Sequence, residues 1–110
     1  MRTKFTARHF RSHSTLKEYA IDRVKKMEKF YDGIISAEVI LSFEKPVDSV
    51  KIAEINVSVH GKTLTAVEQS EEFTKSIDLA IEKIERQLVK YKAKLHQRKS
   101  PAKERTLSVG

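Results

Sequence analysis

The sequence predicts a two-layer α+β domain in which two helices pack on one face of a four-stranded sheet. Three observations carry this prediction. Hydropathy periods succeed one another in the order β-α-β-β-β-α. Each predicted strand has one apolar and one polar face, and each predicted helix has a single apolar stripe. Joining these faces buries them all in one core, which is the simplest architecture for such elements.

The first strand and the first helix lie in the first third of the chain. Apolar and polar residues alternate over Thr3–Arg8, as in a half-buried strand. A helical period then extends from about residue 14 to residue 31. Candidate caps near its start are Ser12, Ser14, and Thr15 with Glu18 as a capping box. Gly33 is predicted to end this helix in a left-handed conformation.

The next three elements are predicted strands. They span Ile34–Phe43, Val50–His60 and Thr63–Val67, with a turn over residues 44–49 and a tight hairpin at residues 60–62. The predicted inward faces are Ile35, Ala37, Val39, Leu41 and Phe43 on the first of these, and Ala53, Ile55, Val57 and Val59 on the second. Such regular alternation is typical of an antiparallel sheet with one covered face.

The last element is a long predicted helix. Ser70 is its candidate cap, and Glu71 and Glu72 suit the positive end of the helix dipole. Its apolar stripe reaches almost to Gln97 and consists of Phe73, Ile77, Ile81, Ile84, Leu88, Tyr91 and Leu95. This stripe either covers the sheet, which we favour, or forms a coiled coil. We expect residues 1–97 to form the domain and residues 98–110 a basic disordered tail or the start of a linker.

Composition excludes several classes of protein. The 110 residues suffice for one domain, and the absence of cysteine excludes disulfides and thiolate metal sites. No apolar run approaches the roughly 20 residues that span a membrane. The first ten residues lack the apolar core of a secretion signal. We therefore expect a cytoplasmic protein with no membrane partner.

Residue types and spacings also argue against catalysis and bound cofactors. His9 and His13 are four positions apart, but a predicted strand-to-helix junction separates them, and no other histidine completes a ligand set. No nucleophile motif or glycine-rich phosphate loop is present. We expect a non-enzymatic protein without metal, cofactor or small-molecule substrate.

The charge is concentrated at the end of the chain. Residues 1–82 hold 13 basic and 13 acidic groups, whereas residues 83–110 hold 9 basic and 2 acidic groups. Four basic residues share one face of the last helix: Lys83, Arg86, Lys90 and Lys94. Arg23 and Lys26 form a second group, which joins this row in one patch if the helices lie side by side. A row of this kind suits phosphate oxygens, so we expect a polyanionic partner.

Other basic residues are expected to matter less. Lys45, Lys51 and Lys62 are predicted near strand ends and turns, and reversing their charges is expected to affect binding less than reversing those of the row. The predicted sheet also lacks the aromatic pattern with which some RNA-binding domains stack bases. The sequence therefore favours recognition of a folded, phosphate-dense surface.

Both helices resemble those of the ribosome hibernation-promoting factor family, which includes ribosome-associated inhibitor A. The family pattern of the last helix is matched by Glu72-Phe73, Ser76-Ile77-Asp78 and Lys83-Ile84-Glu85-Arg86-Gln87-Leu88, followed by Lys90, Lys92 and Lys94. The first helix matches through Asp22-Arg23-Val24 and Lys26-Met27-Glu28-Lys29-Phe30. The resemblance covers about residues 2–97.

The resemblance implies a fold similar to that of a double-stranded-RNA-binding domain, and a function. Family members bind 16S rRNA of the small ribosomal subunit in the channel for mRNA and for A- and P-site tRNA. They inhibit translation and preserve idle ribosomes in stationary phase or under stress. The matching rRNA-binding positions are Arg23, Lys26, Lys83, Arg86 and Lys90, with Lys94 as a further candidate.

Two alternatives stay open at this level. The chain is either a short form of the family or the N-terminal domain of a long form, which leaves ribosome dimerisation and self-association undecided. The alternative function is that of a regulatory protein–protein module of the sigma-factor modulator type, acting through a projecting second helix.

Overall fold

The computed structural model describes residues 1–8, 10–43 and 50–99, with side chains described through residue 95. The elements in chain order are β1 (Arg2–Ala7), α1 (Ser14–Lys25) with a 3-10 turn (Lys26–Lys29), β2 (Ser36–Phe43), β3 (Lys51–Val59), β4 (Lys62–Ser70) and α2 (Phe73–Lys99). This order confirms the predicted β-α-β-β-β-α arrangement. The predicted turn over residues 44–49, the His9 side chain and residues 100–110 lie outside the described part of the chain.

Within the described residues the four strands form one sheet in the order β1-β2-β3-β4. β1 runs parallel to β2, with Phe5 opposite Val39, and the other two pairs are antiparallel. The parallel pair follows from α1, which carries the chain back across the sheet between β1 and β2. β4 is left as an edge strand beside α2.

Both helices pack on the same face of this sheet. Alternate residues of β2, β3 and β4, such as Val39, Ile55 and Ala66, share one buried cluster with Val24 of α1 and Ile84 of α2. Ile77, Ile81, Ile84, Leu88 and Tyr91 of the predicted stripe are buried, and Phe73 and Leu95 pack against the cluster. The stripe therefore covers the sheet, as favoured over a coiled coil.

The predicted helix caps are wrong. α1 begins after His13, and its start has no side-chain capping bond, so neither the Thr15–Glu18 box nor a serine cap forms. At α2 the helix begins at Phe73, two residues later than a cap at Ser70 requires. The Ser70 hydroxyl instead accepts the Glu72 backbone N–H at 3.2 Å. Sequence spacing identifies residues that can cap a helix but not the residue at which it begins.

Gly33 and Ile35 also differ from their predicted roles. Gly61 is the glycine with a positive φ, 86°, in the described part of the chain. Gly33 provides space instead, because a Cβ there would collide with the Tyr31 ring. Ile35 is 57% exposed and Ile34 is buried instead, since β2 begins at Ser36, two residues later than predicted.

Candidate nucleic-acid interface

Lys83, Lys90 and Lys94 of the basic row lie on the flank of α2 next to the edge strand β4. Lys83 Nζ is 2.7 Å from Glu68 Oε2 of β4. One turn further along α2, Gln87 Nε2 donates a hydrogen bond to the Thr65 carbonyl oxygen of the same strand at 3.0 Å. The row therefore runs along the edge of the domain at which α2 lies beside β4.

The charge of this row becomes less compensated toward the end of α2. Lys83 is paired with Glu68, and Arg86, 70% exposed, lies 3.7 Å from Glu82. Among the side chains that the structure describes, no carboxylate forms an ion pair with Lys90 or Lys94, and both are exposed. Exposed ion pairs contribute only about 0–1 kcal/mol, so the paired cations also stay available to a stronger anion.

Arg23 and Lys26 occupy a different place. Arg23 is 36% exposed, and its Nε lies 3.0 Å from Asp78 Oδ1 of α2. That Nε is buried, and its approach to the carboxylate lacks hydrogen-bond alignment, so the contact is an ion pair. Lys26 is more exposed and lies 3.4 Å from Asp22, one turn earlier on its own helix.

Tyr19 completes a polar contact between the two helices. Its hydroxyl lies 2.7 Å from Oδ1 and 2.8 Å from Oδ2 of Asp78 and donates to that carboxylate. This hydrogen bond, together with burial and the negative charge of Asp78, raises the pKa of Tyr19 above its ordinary value of 10.0. The Arg23 guanidinium lies 5.8 Å from the centre of the Tyr19 ring. Asp78 thus accepts a hydrogen bond from Tyr19 and forms an ion pair with Arg23, both of α1.

The structure separates the two basic groups that the sequence joined in one patch. The helices do lie side by side, but Asp78, which binds Arg23, and Lys83 are five positions apart on α2. At 3.6 residues per turn this places them about 140° apart around the helix axis. Arg23 therefore contacts α2 on the side that faces α1, whereas Lys83 projects from the side that faces β4.

Lys92 is basic but does not belong to the row. Its Nζ donates to the Phe30 carbonyl oxygen at 3.2 Å and lies 6.0 Å from the centre of the Phe30 ring. A lysine at this place compensates the negative end of the 3-10 turn that follows α1. Lys92 thus stabilises the helix pair.

The described residues show neither a metal site nor a membrane-spanning helix. No group of histidine and carboxylate side chains in residues 1–8, 10–43 and 50–95 has the geometry of a metal site. Neither helix, over its described length, is apolar enough to cross a membrane.

The comparisons with known proteins agree with the fold. The model of the Sigma 54 modulation protein / S30EA ribosomal protein family matches residues 3–96. A ribosome hibernation promoting factor of Azotobacter vinelandii is 31% identical over 83 residues, which are 76% of this chain and 75% of that protein. One of Klebsiella oxytoca is 29% identical over 97 residues, which are 88% of this chain and 99% of that protein.

A solved structure is also similar. The structure of a ribosomal subunit interface protein from Coxiella burnetii superposes with a TM-score of 0.76 at 29% identity. The match covers 84% of this chain and 99% of that one. The chain therefore belongs to the Sigma 54 modulation protein / S30EA ribosomal protein family, the family of the ribosome hibernation promoting factors.

Proposed function

We propose that this chain binds the small ribosomal subunit and holds the ribosome inactive. It binds 16S rRNA in the channel for mRNA and for A- and P-site tRNA, through Arg23, Lys26, Lys83, Arg86, Lys90 and Lys94. Its relatives named ribosome hibernation promoting factor support ribosome binding. The observation that carries the choice of rRNA is the exposed basic row on α2, whose last two lysines have no carboxylate partner among the described side chains.

This row is suited to positioning on a folded RNA. Lysine and arginine side chains bind backbone phosphates whatever the base, so they fix where the protein sits without reading sequence. The packing supports this use, since Ile84 and Leu88 anchor the row's helix in the core with no exposed surface. Inhibition then requires only that the bound domain fills space needed by mRNA and tRNA.

The regulatory-module alternative has less support from α2. A partner helix needs an exposed apolar face, and the apolar stripe of α2 is buried inside the domain. Over its described length, Val89 is the only large apolar side chain of α2 that is exposed. An electrostatic partner therefore fits this helix better than an apolar one.

The proposal is tested by co-sedimentation with purified small subunits over a range of salt concentrations. Reversing the charge of three row residues, in K83E/R86E/K90E, should abolish binding because three attractions become repulsions. The matched control R11E/K17E/K25E makes the same charge change with three exposed residues, one before α1 and two on it. The control should bind with a modest loss from the overall charge.

Salt dependence gives a second readout. Each phosphate contact contributes about 0.7–0.9 to the slope of log affinity against log salt concentration, so the wild-type protein should show a steep slope. Equal binding by the two triple variants would remove the row from the site. Wild-type binding that is insensitive to salt would overturn the rRNA proposal in favour of an apolar partner.

A further inference from the structure

The β3–β4 hairpin places Lys62 beside two lysines of α2. Two adjoining cavities, of about 280 and 140 Å³, lie between the hairpin and the helix. Lys62, Tyr91 and Lys94 line both of them, and Lys90 and Gln87 line the smaller one. Lys62, a residue expected to contribute less to binding, therefore lies beside the end of the row. Its neighbours along the chain are turn residues, but its neighbours in space are the last lysines of the row.

Three features hold the hairpin in this position. The Tyr91 hydroxyl donates to the His60 carbonyl oxygen at 2.6 Å, and Gln87 donates to the Thr65 carbonyl oxygen. The turn itself has two residues, because Val59 pairs directly with Lys62. Gly61 supplies the positive φ of 86° that so short a turn requires. The backbone of Lys62 is thus fixed relative to α2 before any ligand binds.

The cleft between hairpin and helix is cationic and uncompensated. Its described lining contains three lysines and no carboxylate. Among the described side chains, none of the three lysines forms an ion pair. The Tyr91 hydroxyl and one N–H of Gln87 already donate to the backbone of the hairpin. The charged groups left to meet a ligand are ammonium groups, which favour an anion that offers several oxygen atoms.

We propose that Lys62, Lys90 and Lys94 form a phosphate-binding cleft that takes the sugar–phosphate backbone of RNA. The cleft continues the row of Lys83 and Arg86, and the positions from Lys83 to Lys94 extend about 16 Å along the helix at 1.5 Å per residue. An RNA strand can place several consecutive phosphates along this length, whereas a single small anion cannot contact all of these residues. The inference rests on the proposed function and adds to it a hairpin contact outside the helices.

The test compares K62Q with the matched control K25Q. Lys25 is also exposed, but it lies about 160° around α1 from Arg23, away from α2. One lost phosphate contact should weaken small-subunit binding roughly five- to eightfold at 0.1 M salt and lower the salt slope by about 0.7–0.9. K25Q should bind as the wild type does. Both variants should melt as the wild type does, because both side chains are exposed.

A second measurement addresses the cleft without the ribosome. Titration of a short RNA duplex, followed by NMR, should shift the amide signals of Lys62, Gln87 and Lys94. Polyglutamate is the control polyanion, and equal shifts with it would overturn the assignment to RNA phosphates. Absence of shifts with the duplex would overturn the cleft.

The outcomes separate the two proposals. If the wild type binds subunits and K62Q matches K25Q, the cleft is wrong and the proposed function stands. If the wild type fails to bind subunits while RNA shifts the cleft signals, the ribosome proposal fails and the cleft stands.

Discussion

The Tyr19 hydroxyl of α1 lies 2.7 Å from Oδ1 of Asp78 on α2, a contact between residues 59 positions apart in the chain. The same carboxylate is 3.0 Å from Arg23 Nε. One acidic side chain thus links the two helices and restrains an arginine of the proposed interface. The Tyr19 ring packs against the buried apolar cluster, and phenylalanine keeps that ring, so the hydroxyl can be removed without opening a cavity.

Removing the hydroxyl should therefore cost stability without disturbing the fold. We expect Tyr19→Phe to lower the free energy of unfolding by about 1 kcal/mol, a typical value for one partly exposed hydrogen bond. Urea denaturation followed by circular dichroism measures this. Asp78→Asn should cost more, because it also removes the Arg23 ion pair. A Tyr19→Phe variant as stable as the wild type would show that the contact contributes nothing to folding.

The Tyr19 hydrogen bond also predicts a response to alkaline pH. Contact with Asp78 raises the pKa of Tyr19 above 10.0, so the folded state favours the protonated phenol more than the unfolded state does. The stabilisation is complete below the unfolded pKa and is lost as pH rises through the folded one. The stability difference between wild type and Tyr19→Phe should therefore shrink as the pH rises above about 10. A constant difference over this range would contradict the raised pKa.

The Tyr19–Asp78 contact marks the limit of what the sequence predicts. The strands and helices follow from hydropathy periods of two and 3.6 residues, which are local, so all of them were predictable. The buried stripe of α2 was predictable for the same reason. The residue of α1 that contacts Asp78 depends on how the two helices are positioned relative to each other. No local hydropathy period encodes that position.

The same distinction applies to the candidate interface. The row from Lys83 to Lys94 lies on one helix and was predictable from its spacing. The place of Lys62 beside Lys90 and Lys94 was not predictable, because it depends on the position of the hairpin against α2. Arg23 and Lys26 do not join the row because α1 packs against the other flank of α2. The sequence does not tell which flank of α2 faces α1, so this separation was not predictable.

The core prediction uses two positions of α2. Ile84 has no exposed surface, and Val89, five positions on, is 53% exposed. Ile84→Asp puts a carboxylate among apolar side chains and should cost several kcal/mol, enough to unfold much of the protein. Val89→Asp makes the same chemical change in contact with water and should shift stability by about 0.5 kcal/mol or less. Similar melting temperatures for the two variants would mean that α2 is rotated about its axis.

The last prediction concerns the mode of action. A protein that inhibits by occupying a channel turns nothing over, so it should suppress cell-free translation in proportion to its ratio to ribosomes, with complete inhibition near one copy per ribosome. The K83E/R86E/K90E variant should require a large excess, because weaker rRNA binding lowers occupancy. Added mRNA and initiator tRNA should relieve inhibition, since they compete for the same space. Complete inhibition at a small fraction of one copy per ribosome would require turnover and would contradict the occupancy model.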